Sequence, residues 1–155
     1  MSGAAQGAAR VRAAQAGDLG PWVIMRCALW PDADALELDA EAHAMLDEPD
    51  GKAAFVAERD GVLVGLAEAT LRHDYVNGTG SSPVGFLEGW YVAPAFRGRG
   101  VGRALVAAVE AWTRAQGCSE LASDALLDNR DSLGAHAACG FEETERVVYF
   151  RKQVG

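Results

Sequence analysis

The sequence predicts a single α/β domain over residues 10–155, a mixed central sheet flanked by helices. Three observations carry this. Apolar residues alternate at period two in some segments and recur at period 3.6 in others. The run Val84 to Val92 ends at Pro94, passes through an arginine- and glycine-rich turn, and enters an amphipathic helix at once. No repeat, linker or shift in composition divides the 155 residues, half of them apolar, and that is the usual size of one domain with one core.

The elements follow in order. Val11 to Ala14 reads as a short first strand. Asp18 is placed to cap a helix with Pro21 in its first turn and Trp22, Met25, Arg26 and Leu29 at helical spacing; Trp30-Pro31-Asp32 breaks it. Ala35 to Leu46 predicts a second, acidic amphipathic helix, closed by Glu48-Pro49-Asp50-Gly51. Ala53 to Glu58 and Val62 to Leu71 flank Asp60-Gly61, a two-residue hairpin signal. The stretch His73 to Pro83 contains Asn77-Gly78-Thr79-Gly80-Ser81-Ser82 and predicts a mobile loop. After the central strand Val84 to Val92, Val101 to Gln116 predicts a helix with Val101, Leu105, Ala108, Val109 and Trp112 on one face and Gly117 as its stop. Ser119 to Ala125 predicts another strand, a short helix follows Asn129 and ends before Gly140-Phe141, and Glu145 to Gln153 reads as a last strand. Residues 1–9, small and polar, read as a disordered N-terminal tail.

A formal net charge of −8 argues against nucleic acid and anionic membrane surfaces, which favour basic faces. It suits a cationic small molecule. No run approaches the roughly 20 apolar residues of a membrane span, and the start is too weakly hydrophobic for a signal peptide. Cys27, Cys118 and Cys139 are odd in number, widely separated and without metal-ligand spacing, which fits small core residues in a reducing cytoplasm.

The chemistry concentrates in the turn Arg97-Gly98-Arg99-Gly100-Val101-Gly102-Arg103. Glycines at 98, 100 and 102 leave backbone N–H groups uncovered, and the helix N-terminus adds partial positive charge. Arg97, Arg99 and Arg103 surround that nest, so the segment suits a diphosphate; a plain glycine-rich surface turn is the competing reading. A P-loop is excluded by the missing Gly-Lys-Ser/Thr ending. A dinucleotide crossover lacks both the G-x-G-x-x-G spacing and an acidic ribose reader.

The pattern R/Q-x-x-G-x-G/A, met here from Arg97 to Gly102, resembles the acetyl-CoA loop of the GCN5-related N-acetyltransferase superfamily, and the order β-α-α-β-β-β-α-β-α-β is that of its fold. Leu29-Trp30-Pro31, Leu87-Glu88-Gly89, Tyr91-Val92, the run Cys118 to Asp124, Asn129 with Ser132 and His136, and the run Gly140 to Val148 are similar to aminoglycoside 6'-N-acetyltransferases of the compact bacterial type. The resemblance implies acetyl-CoA as co-substrate, no metal, a sheet splayed at the fourth strand by a bulge near Gly89, an aminoglycoside acceptor attacked directly in a ternary complex, antibiotic resistance, and a homodimer. By position it implies that Trp90, Tyr91 and Val92 meet the pantetheine arm, that Arg97, Gly98, Arg99, Gly100, Gly102 and Arg103 hold the diphosphate, and that Asn129 lines the other wall. Trp30, Tyr75, Glu88, Asp124 and Glu145 would touch the acceptor, with Glu88 and Asp124 as catalytic carboxylates. Read without the resemblance, Glu88 is equally an outward strand residue and Asp124 a turn former.

Many superfamily members carry a tyrosine general acid four residues before Gly-Phe. That position here is His136, and Tyr149 is the other candidate; with neither assigned, solvent protonates the thiolate. Acetylation of a polyamine, another small amine or a peptide N-terminus remains an alternative. A non-catalytic acetyl-CoA-binding module is a third reading, which predicts the loop without a converging carboxylate pair.

Overall fold

The computed structural model describes residues 8–155. Residues 1–7, most of the expected tail, lie outside the described residues; Ala9 already packs against the core. Five strands form one sheet in the order β1-β2-β3-β4-β5: β1 (Arg10–Ala13), β2 (Lys52–Arg59), β3 (Val62–Arg72), β4 (Val84–Val92) and β5 (Leu121–Ser123). The first four pair antiparallel and β5 joins β4 in parallel. Four α-helices flank the sheet: α1 (Leu19–Leu29), α2 (Ala35–Asp47), α3 (Val101–Ala115) and α4 (Arg130–Ala138). Asp60 and Gly61 both adopt positive φ, 51° and 78°, the conformation a two-residue hairpin needs.

Alternation along the strands splits the core in two. Ala57, Ala67, Ala69 and Leu87 face Val101, Leu105, Val106 and Val109 of α3. Val56 and Leu66, on the opposite face, meet Trp22 and Met25 of α1 and Ala42 of α2. The α3 side chains Leu105, Val106 and Val109 are fully buried, each contributing about 1.5–3 kcal/mol of transfer free energy, so the helix behind the arginine turn is firmly anchored.

Two departures from regularity position the site. The β3–β4 register steps between Glu68, opposite Gly89, and Ala69, opposite Leu87. Glu88 is therefore the extra residue of a β-bulge, and the bulge inverts the side-chain parity of β4. Leu87 and Trp90 both reach the α3 face, while Tyr91 joins the α1–α2 core and Glu88 turns to that same side. The second departure is the splay: β4 pairs with β5 only over Gly85–Leu87, whereas its pairing with β3 continues to Val92.

The expected last strand, Glu145 to Gln153, does not form, and those residues are irregular and exposed. A strand exists only where an edge offers ladder hydrogen bonds, and none of the described sheet pairs reaches this segment. Val147, Val148, Tyr149 and Phe150 consequently stand 48, 76, 85 and 92% exposed. The strand expected over Ser119 to Ala125 shrinks to Leu121–Ser123, because its pairing with β4 ends where the sheet splays. Asp18 does not cap α1 with its side chain. Its carboxylate accepts instead from Arg12 and from the Gln15 N–H across a 3₁₀ turn over Ala16–Asp18.

Candidate active site

The head of α3 is assembled as the glycine spacing predicts. Gly98 and Gly100 take left-handed φ values of 75° and 85°, open to glycine at no steric cost, and Gly100 is the N-cap residue of α3. The first N–H groups of that helix have no intrahelical acceptor. Gly102 serves differently: the Trp90 ring lies against its α-carbon, 3.2 Å from where a β-carbon would stand, and the Trp90 indole N–H donates to the Gly102 carbonyl at 3.1 Å. Arg97, Arg99 and Arg103 are exposed around the turn. The Arg97 Nε donates to the Val92 carbonyl at 2.9 Å, and an Arg103 Nη donates to the Ala138 carbonyl, tying α3 to α4.

Beside this nest runs the free edge of β4. The Ala93 N–H donates to the Val64 carbonyl at 2.9 Å. Backbone groups alternate direction along an extended strand, so Trp90 and Val92 turn their N–H and C=O groups away from β3, into the splay. Opposite stands α4, whose N-cap Asn129 accepts from the Ser132 N–H at 3.1 Å. His136 is enclosed by Trp90 and Phe141, ring centroids 5.1 Å away in both cases. Its Nδ1 lies 2.7 Å from the Ser132 carbonyl, which can only accept, so Nδ1 carries the proton. Nε2 lies 2.7 Å from the Ser123 hydroxyl, which can donate or accept.

On the other sheet face an open cleft of about 470 Å³ lies between the strands and the α1–α2 pair, lined among others by Arg26, Trp30, Glu41, Glu68, Thr70 and Glu88. Its floor is an ion pair. Glu68 Oε2 accepts from Trp22 Nε1 and Arg26 Nε, both at 2.7 Å, and Oε1 accepts from an Arg26 Nη at 2.8 Å. Burial lowers the Arg26 pKa, but Glu68 and then Glu41 outweigh it and leave the guanidinium more basic than usual. Arg26 also stacks 5.0 Å from the centre of the Trp30 ring. The Trp30 ring edge closes on Gly89, 2.8 Å from an ideal β-carbon position there. Any side chain at position 89 would push Trp30 out of the cleft wall.

Glu88 reaches the cleft rim, where it accepts from Thr70 Oγ1 at 2.5 Å and from Arg72 through Nε at 3.1 Å and Nη2 at 2.8 Å. Asp124 follows Ser123, whose β4 partner is Leu87, so it stands one position past the last rung on the same side as Glu88; it is exposed and does not line the cleft. Arg72 has its pKa raised by the Glu88 hydrogen bonds; burial opposes this, and the charges of Glu88, Asp124 and Tyr149 add to it. Tyr75, 74% exposed, sits on the 73–83 loop. That loop is fastened by Glu120, which accepts from the Gly80 N–H at 2.9 Å and the Ser81 hydroxyl at 2.5 Å. Gly78 in the same loop lies against Thr144, leaving no room for a β-carbon. Tyr75 and Glu145 are thereby brought to one end of the molecule without touching the cleft.

The Acetyltransferase (GNAT) family profile matches residues 22–141. The chain belongs to that family. It is 57% identical over 142 residues to the aminoglycoside N(6')-acetyltransferase type 1 of Stenotrophomonas maltophilia, covering 91% of each chain. It is 48% identical to the enzyme of the same name from Serratia marcescens, over 89% of this chain and 94% of that one. Among solved structures, aminoglycoside N-acetyltransferase AAC(6')-Iy in complex with CoA superposes with a TM-score of 0.90 at 45% identity, covering 95% of this chain and 96% of that one. The same enzyme bound to the bisubstrate analogue CoA-S-monomethyl-acetylneamine also gives a TM-score of 0.90, at 44% identity over 96% of this chain and all of that one.

The glycine turn and a free strand edge thus lie on one side of β4, and the Glu88 carboxylate on the other. Among the described residues no group of three His, Cys, Asp or Glu side chains is gathered to hold a metal ion. Sequence reasoning missed Arg26, Glu68, Thr70 and Arg72. The last three carried a signal, since Glu68, Thr70 and Arg72 share one face of β3 at period two, an unusual polar row at the end of a buried strand.

Proposed function

We propose that this acetyltransferase moves the acetyl group of acetyl-CoA onto the 6'-amino group of aminoglycosides by direct attack in a ternary complex, and so confers resistance to them. The observation that carries the reading is the placement of Glu88, whose carboxylate lines the cleft on one face of the strand whose outer edge, two residues on, is free for the co-substrate. The relatives' names and the CoA-acetylneamine complex of AAC(6')-Iy support the substrate.

Acetyl-CoA supplies an acyl group activated as a thioester. The N–H groups from Gly98 to Arg103, with Arg97, Arg99 and Arg103, hold its diphosphate by charge-assisted hydrogen bonds. The outward backbone groups of Trp90 and Val92, with Tyr91 between them, receive the pantetheine arm as an added strand, and an N–H there polarises the thioester oxygen. Asn129 closes the other wall. Glu88 and Asp124 hold the arriving ammonium, and Trp30, Tyr75 and Glu145 bear on the sugar rings. The ammonium gives one proton to a carboxylate or water, the C–N bond forms, the nitrogen releases a second proton as the C–S bond breaks, and the thiolate takes up one proton. His136 has both ring nitrogens engaged and Tyr149 is 85% exposed, which favours solvent as the donor.

The protein acts as a homodimer in the cytoplasm on this reading. The uncovered row Val147 to Phe150 supports pairing, since that much apolar surface is seldom left in water. Three free cysteines support a reducing compartment. No helix among the described residues is long and apolar enough to cross a membrane.

A thiol-release assay with acetyl-CoA against neamine, kanamycin, spermine and a short peptide tests the reading. The expected product is 6'-N-acetylneamine, located by NMR, with Glu88→Gln losing activity while CoA affinity holds. Better turnover of spermine or peptide removes the aminoglycoside assignment, and tight CoA binding without turnover of any amine favours a sensor.

A further inference from the structure

The carboxylate assigned to the acceptor ammonium is not free. An ionised carboxylate offers about four lone-pair positions. On Glu88 three are taken: Thr70 and Arg72 Nε on Oε2, Arg72 Nη2 on Oε1. The arginine approaches as a fork, one nitrogen to each oxygen, and its guanidinium stacks on the Phe86 ring, 3.5 Å from the centroid. The same guanidinium feels Asp124 as well as Glu88. It thus stands on the Glu88 carboxylate, where an acceptor ammonium must go.

Thr70 and Arg72 differ in what holds them. Thr70 is half-buried within β3, and its hydroxyl orients the carboxylate without competing for charge. Arg72 is the last residue of β3, its side chain 43% exposed, and four rotatable bonds let it swing into solvent. Its charge cancels that of Glu88, so an incoming ammonium meets a carboxylate whose field is already spent.

We propose that Arg72 is an internal competitor of the acceptor: its guanidinium occupies the ammonium position on Glu88 in the unliganded enzyme and leaves it when the acceptor binds. The inference rests on the aminoglycoside reading for the identity of the acceptor, not for the geometry. Because binding requires the Arg72-out state, apparent affinity is lowered by the fraction of molecules in that state. A half-exposed ion pair and one stacked ring are modest holds, so the penalty is about threefold to fivefold. It applies alike to every amine that needs Glu88.

Calorimetry of the protein–CoA complex with neamine and with spermine, for wild type, Arg72→Gln and Arg72→Lys, tests this. Arg72→Gln is expected to bind the amines about threefold to fivefold more tightly, Arg72→Lys to fall between, and CoA affinity to stay within twofold in all three. A gain in affinity is not a result that loss of structure produces. Equal or weaker amine binding by Arg72→Gln overturns the proposal and makes Arg72 a clamp that holds Glu88 for the acceptor. Acetyl transfer to neamine by the wild type is scored separately. If it fails, the aminoglycoside reading falls, and the spermine arm still decides Arg72 by the same criterion.

Discussion

The Arg26–Glu68 pair at the floor of the α1–α2 cleft allows the sharpest test of how this fold is held. Glu68→Leu removes a carboxylate whose side chain is 2% exposed and leaves Arg26, 6% exposed, with the Leu38 carbonyl at 3.0 Å and Glu41 at 3.7 Å. It also orphans the indole N–H of Trp22, which is fully buried. An uncompensated buried charge costs about 3–5 kcal/mol. At about 2–4 °C per kcal/mol for a domain of this size, Tm should fall by about 6–20 °C. The double variant Arg26→Met/Glu68→Leu removes both charges and leaves only the Trp22 N–H unpaired, about 1–3 kcal/mol. The double variant should therefore be more stable than Glu68→Leu alone. Equilibrium urea unfolding followed by circular dichroism, with CoA absent so that ligand linkage does not enter, reads wild type, Arg26→Met, Glu68→Leu and the double variant. A double variant as unstable as the sum of its singles would refute the reasoning, because it would mean the two groups are not energetically coupled.

Three further outcomes are expected. Gly100→Ala meets no atom within 4 Å but must hold φ at 85°; it should lose about 1–2 kcal/mol of stability and raise the CoA Kd by calorimetry, with the Glu88 side of the site unaffected. Gly85→Ala places a β-carbon 2.6 Å from Thr113 Oγ1, a buried hydroxyl that donates to the Val109 carbonyl at 2.8 Å; overpacking should cost about 1–3 kcal/mol in urea melts and be relieved in Gly85→Ala/Thr113→Ala. The Asp18 carboxyl is held below its ordinary pKa by hydrogen bonds from Arg12, with burial opposing and the Gln15 N–H assisting. Its contribution is complete above the unfolded value near 3.9 and vanishes as pH falls through the folded one. Asp18→Asn should then be less stable than wild type at pH 7 and converge with it below about pH 4, whereas a constant gap down to pH 2 would contradict the assignment.

Local chemistry was legible from the residues. Asp60-Gly61 made its turn, Val101 to Ala115 its helix, and Gly98 and Gly100 took the backbone conformations that their lack of a β-carbon permits. These features are set by neighbours in the chain. Asp18 was misread for the opposite reason: an arginine from another element, Arg12 of β1, outbids the helix N–H groups for its carboxylate.

What the sequence determined by itself was the single α/β domain, the glycine turn at the head of α3 and the identity of the residues around it, since period, glycine placement and charge are written within a few positions of one another. The tertiary structure alone decided which of those residues act together. Only the register step between β3 and β4 returns Trp90 to the α3 face two residues after Glu88, and only the fold sets Arg72 on that carboxylate and Arg26 on Glu68, 42 positions away. Glu145 to Gln153 shows the same division: the pattern of a strand is present, yet a strand is completed by a partner, and none of the described strands pairs with it.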